Sequence, residues 1–101
     1  MLRAFLAGFF IYNSLPHLVK GITGEKHMTP IKRVSSPMLN IVWSFSNLVI
    51  GIFILGFDEN GALMFPAGVN FWAFIVGGFL LSLVAAKLFG SPNARLPWHK
   101  D

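Results

Sequence analysis

Residues 35–57 read SSPMLNIVWSFSNLVIGIFILGF, and this stretch decides the fold. From Met38 to Phe57 it carries no charged side chain. At about 1.5 Å of rise per residue, a helix of that length crosses the roughly 30 Å of hydrocarbon in a bilayer. Ser36 is placed to cap the helix, and Pro37 suits its first position, where an N–H would have no partner anyway. Asn40, Ser44, Asn47 and Gly51 recur at spacings of four, three and four, so they form one polar-and-small stripe on a helix. That stripe is expected to look inward, away from lipid.

Two further apolar runs flank this one. The first begins LRAFLAGFFIYNSLPHLV at Leu2, with Arg3 and Lys20 able to snorkel at its ends, and the third is VNFWAFIVGGFLLSLVAAKL from Val69, closing on Gly90, Ser91 and Pro92. None shows the alternation a membrane barrel strand requires. The first run has the charge and apolarity of a signal peptide but no small-x-small cleavage site, so it is expected to remain. The expected fold is therefore all-α, an integral membrane protein with three transmembrane helices in a single membrane domain, 1–101. Its spans fall at about 2–22, 38–57 and 69–89, with a loop at 23–37 and a tail at 91–101. Composition agrees: the chain is 54% hydrophobic with a mean hydropathy of +0.65, and its 12% of charged residues is about half the share of a soluble domain.

Lysine and arginine set the orientation. Lys20, Lys26, Lys32 and Arg33 lie on the first loop and its flank and Lys87, Arg95 and Lys100 on the C-terminal flank, against Arg3 alone on the other side. This predicts an N-terminus outside and a cytoplasmic C-terminus. The cations account for the net charge of +4 without a nucleic-acid partner. Lys26, Lys32 and Arg33 are expected to meet lipid headgroups or a protein partner. The absence of cysteine excludes disulfides, thiolate metal sites and thiol nucleophiles.

Helical rise places Asn13, Ser44 and Ser82 at one depth, about 10 Å from the cytoplasmic ends, with Asn47 a turn deeper. Asn13, His17, Asn40, Ser44, Asn47 and Ser82 form the expected polar intramembrane layer. It serves either helix packing through interhelical hydrogen bonds or a pathway for a small solute. Gly78, Ser82 and Ala86 give the third span a small-residue face for close helix approach. His17 follows Pro16 near the inner end of its span. Its expected role is an interfacial histidine bonded to Asn40, with a proton-linked role as the alternative. His27 and His99 are expected to be solvated, and no histidine spacing supports a metal site. Glu25, Asp58, Glu59 and Asp101 form no close acid–base pair, and no catalytic residue, cofactor or metal is expected.

Leu15-Pro16-His17 with Gly21 and Gly24, followed by Ser35-Ser36-Pro37 with Asn40, Trp43, Asn47, Leu48 and Gly51, resembles the pattern of a group of small, uncharacterised bacterial multi-span membrane proteins. The resemblance covers residues 12–52. It implies a bacterial cytoplasmic membrane and groups His17, Asn40 and Asn47 as one unit, and it carries no activity with it. The function expected is non-enzymatic, the binding or modulation of a membrane partner in a homo-oligomer or larger complex. An oligomeric small-solute transporter or channel is the alternative, and a membrane enzyme acting on a lipid or quinone is the third.

Overall fold

The structure, a computed structural model, describes residues 1–31, 34–90 and 97. Lys32, Arg33 and the tail residues Arg95, Trp98, His99 and Lys100 lie outside the described residues. The fold is all-helical, with α1 (Leu2–Ile22), α2 (Pro37–Leu55) and α3 (Val69–Phe89). Helix α1 packs against both α2 and α3, whose backbones do not approach each other closely among the described residues. The least apolar helix is thus the middle one in a body of 44 × 24 × 24 Å.

The helix ends follow from local chemistry. Ser36 Oγ accepts the Leu39 N–H at 3.1 Å and starts α2, and Pro37 occupies the first turn. Helix α1 runs unbroken through Pro16 and closes as a Schellman turn. Gly24 takes φ +75° there, and the Glu25 N–H reaches the Lys20 carbonyl at 2.9 Å. Arg3 closes the other end of the pair. Its guanidinium donates to the Ile54 carbonyl at 2.9 and 3.1 Å and to the Leu55 carbonyl at 3.3 Å, where α2 runs out of backbone donors.

The two interfaces of α1 differ in kind. Against α3, contact is made by backbone. A Cβ at Gly8 would meet the Phe74 carbonyl oxygen, and one at Gly77 would meet that of Phe5. The Tyr12 ring lies over Gly78. Close approach therefore rests on Gly8, Gly77 and Gly78, while Ser82 and Ala86 are exposed on α3. Ala4, Ala7, Leu55 and Phe74 form the apolar cluster where the three helices meet. Against α2, contact is made by polar side chains.

The outward faces are apolar. Val42, Phe45, Val49 and Phe53 stripe α2, and Trp72, Val76, Phe79 and Leu83 stripe α3, all exposed at helical spacing. The interior holds the amides and hydroxyls, a distribution inverted relative to that of a soluble protein. Helices α2 and α3 are each long and apolar enough to cross a membrane. Helix α1 matches α3 in length but carries Arg3, Asn13, His17 and Lys20.

Candidate functional site

Helices α1 and α2 run antiparallel, and their facing polar groups pair in sequence. His17 Nδ1 lies 2.9 Å from Asn40 Oδ1, Ser44 Oγ donates to the Ser14 carbonyl at 2.8 Å, and Asn13 Nδ2 donates to Asn47 Oδ1 at 3.1 Å. Asn47 returns its own amide N–H to the Trp43 carbonyl at 2.8 Å. Exposure is 0% at Asn40, 1% at Asn47 and 2% at His17 and Ser44, so these bonds replace water entirely. Ser82 does not join this ladder. Its hydroxyl donates at 2.8 Å to the Gly78 carbonyl of its own helix.

Asn40 is the hub. Its Nδ2 lies 3.0 Å from the His27 carbonyl, 3.2 Å from that of Ser35 and 3.1 Å from that of Ser36. With the amine end facing three acceptors, Oδ1 is turned towards His17, and Nδ1 of the imidazole is the nitrogen that carries the proton. In the neutral ring, Nε2 is left with a free lone pair, and it has no hydrogen-bond partner among the described residues.

The first loop folds over this end of the bundle instead of trailing in solvent. His27 and Ser35 exchange backbone hydrogen bonds at 3.2 and 3.0 Å, and Thr29 Oγ1 meets Ser35 Oγ at 2.7 Å. Thr29 and Ser35 are buried, whereas Lys26 is exposed on the loop's outer side. His27, expected to be solvated, is partly buried, with its ring 4.2 Å from that of Phe89 and 5.3 Å from that of His17. Its Nε2 is buried without a hydrogen-bond partner. Burial pushes the His27 pKa down to about 4, helped by the charges of His17 and Lys20 and opposed by that of Glu25. The loop pulls His27 inward by its backbone pairing, which histidine spacing in the sequence does not reveal.

Beside the ladder lies a cleft of about 180 Å³. Phe9, Asn13 and His17 of α1 line it, with Trp43 of α2 on one side and Leu81, Ala85 and Leu88 of α3 on the other. Met28, Thr29 and Pro30 cover its loop end. The indole N–H of Trp43 is buried without an acceptor. No cluster of three or more His, Asp or Glu side chains converges among the described residues.

The sequence reading missed Ser14, buried through a hydroxyl that donates to the Ile11 carbonyl at 2.6 Å, and the contacts at Gly8 and Gly77. The adjacent pair Gly77-Gly78 was the available signal for the second. No protein-family model, curated protein or solved structure matches the chain.

Proposed function

We propose that the chain is a three-span integral membrane protein of the bacterial cytoplasmic membrane, with its N-terminus outside and its C-terminus cytoplasmic. It acts without catalysis, by binding or modulating a partner within the bilayer. The observation that carries this reading is the pair of apolar stripes on α2 and α3 set against a buried polar ladder. In water such a surface associates; in lipid it is the ordinary solvent-facing side. Helix α1 belongs at the same depth, because Arg3 meets the last carbonyls of α2 and His17 meets its first turn. Orientation follows the seven cations on one side against Arg3 on the other.

The ladder closes on itself through its own hydrogen bonds, which argues against a solute pathway inside one chain. Partner binding then uses the outward faces of α2 and α3, in a homo-oligomer or beside another membrane protein. Native mass spectrometry from nanodiscs tests this: a defined homo-oligomer or heteromer supports it, and monomer alone overturns it. Orientation has a separate test because the chain contains no cysteine to interfere. An impermeant maleimide applied from outside is expected to label Asn60→Cys and to spare Lys26→Cys.

A further inference from the structure

We propose that the cleft between α2 and α3 binds a single-chain amphiphile with a neutral, hydroxyl-bearing head, of the monoacylglycerol class. The inference rests on the membrane placement proposed above, and its argument comes from how polar groups are distributed along the cleft.

At the loop end stand His17, with Nε2 unpartnered as an acceptor, and Trp43, with an indole N–H that is buried and lacks an acceptor. A hydroxyl answers both, since it donates one hydrogen bond and accepts others. An ether or ester oxygen alone answers only the indole. From His17 the cleft runs along α1 to Phe9, eight residues or about 12 Å away by helical rise, with Leu81 of α3 on the opposite wall. That direction leads from the loop towards the middle of the bundle. The polar end therefore sits at headgroup depth and the apolar end points into hydrocarbon, the orientation a lipid already has in the surrounding leaflet.

Charge selects the head. Among the described residues, none of the lining side chains is a carboxylate, ammonium or guanidinium. From those side chains an anionic head drawn into the cleft would gain no counter-ion for the water it loses, whereas a neutral hydroxyl only exchanges hydrogen bonds. The position between α2 and α3 gives access from lipid, because those helices do not close on each other.

The test uses Trp43 as its own reporter. Trp72→Phe with Trp98→Phe leaves it the single tryptophan, and the protein in phosphatidylcholine nanodiscs is titrated with a monoacylglycerol brominated along its chain. Saturable quenching of Trp43 is expected. A brominated fatty acid of the same chain length, above its pKa, is expected to need at least five times the concentration. Ala85→Phe fills the cleft from α3 without touching the α1–α2 ladder and is expected to abolish saturation. Leu88→Phe, on the same wall, replaces it if Ala85→Phe loses helicity. Quenching that rises linearly with mole fraction and is unchanged by the filling variant is annular lipid contact and overturns the proposal, as does equal binding of the ionised fatty acid. Failure to insert into nanodiscs at all would instead sink the membrane reading. Normal insertion and helicity with linear quenching removes the cleft assignment alone.

Discussion

Asn40 holds His17 across the α1–α2 interface with 2.9 Å between Oδ1 and Nδ1, while the other end of the same amide holds the carbonyl of His27 at 3.0 Å. One side chain therefore fixes a helix, its neighbour and the loop that joins them. It also sets which imidazole nitrogen is engaged and which is left without a bond from the ladder.

Replacing Asn40 by Leu leaves the His17 N–H without its partner in a buried place and leaves the carbonyls of His27 and Ser35 only the backbone bonds that these two residues exchange. The expected loss is about 2 kcal/mol or more, the penalty of unsatisfied buried groups. Unfolding in a denaturing-detergent titration, followed by circular dichroism, measures it. Ser46→Leu is the control, because Ser46 bonds only to the Val42 carbonyl of its own helix, and it should cost less than about 0.5 kcal/mol.

The 3.1 Å bond between Asn13 and Asn47 is a pair suited to a double-mutant cycle. Interhelical hydrogen bonds in lipid couple by about 0.6 kcal/mol on average, and up to about 1.7. Asn13→Ala, Asn47→Ala and the double variant should give a coupling in that range in the same titration. The single Asn47 variant should remain folded.

At the α1–α3 contact, Gly77→Ala places a methyl group against the Phe5 backbone, which cannot swing aside as a side chain does. A loss of about 1–3 kcal/mol is expected, as for other overpacked contacts. Ser82→Ala, on an exposed position of the same helix, should stay within about 0.5 kcal/mol of the parent. The pair of measurements separates the observed glycine contact from the small-residue face that continues to Ser82 and Ala86.

Stability should also depend on pH through His27. Its pKa is lowered from 6.5 to about 4 in the folded protein, so between those values the unfolded chain binds the proton more readily. The folded state is thus favoured above about pH 6.5 and loses ground progressively as the pH falls to about 4. Detergent unfolding midpoints across this window should decline, and His27→Gln should flatten the decline.

Much of this arrangement was legible in the sequence because periodicity and end signals act locally. Ser36-Pro37 marked the start of α2, and the spacing of Asn40, Ser44, Asn47 and Gly51 its buried face. Helical rise measured from the span ends put His17 level with Asn40, and the two are bonded. It gave Ser82 the same depth as Asn13, but depth fixes a level and not a direction around the helix. Ser82 points away from the ladder. The Arg3 cap and the inward turn of His27 were hidden for a different reason. Each depends on a partner some distance along the chain, Ile54 for one and Ser35 for the other, and single-sequence patterns do not register such pairs.

The middle position of α1 bears on how the protein is made. On the three-span reading, the first of the three helices to leave the ribosome is the least suited to lipid by itself, and the acceptors and donors for Asn13 and His17 lie on α2. Helix α1 would then wait beside the insertion machinery until residues near Asn47 emerge, and enter the bilayer with α2 as a hairpin. Helix α3, which of the two other helices packs only on α1 among the described residues, is the piece that docks last.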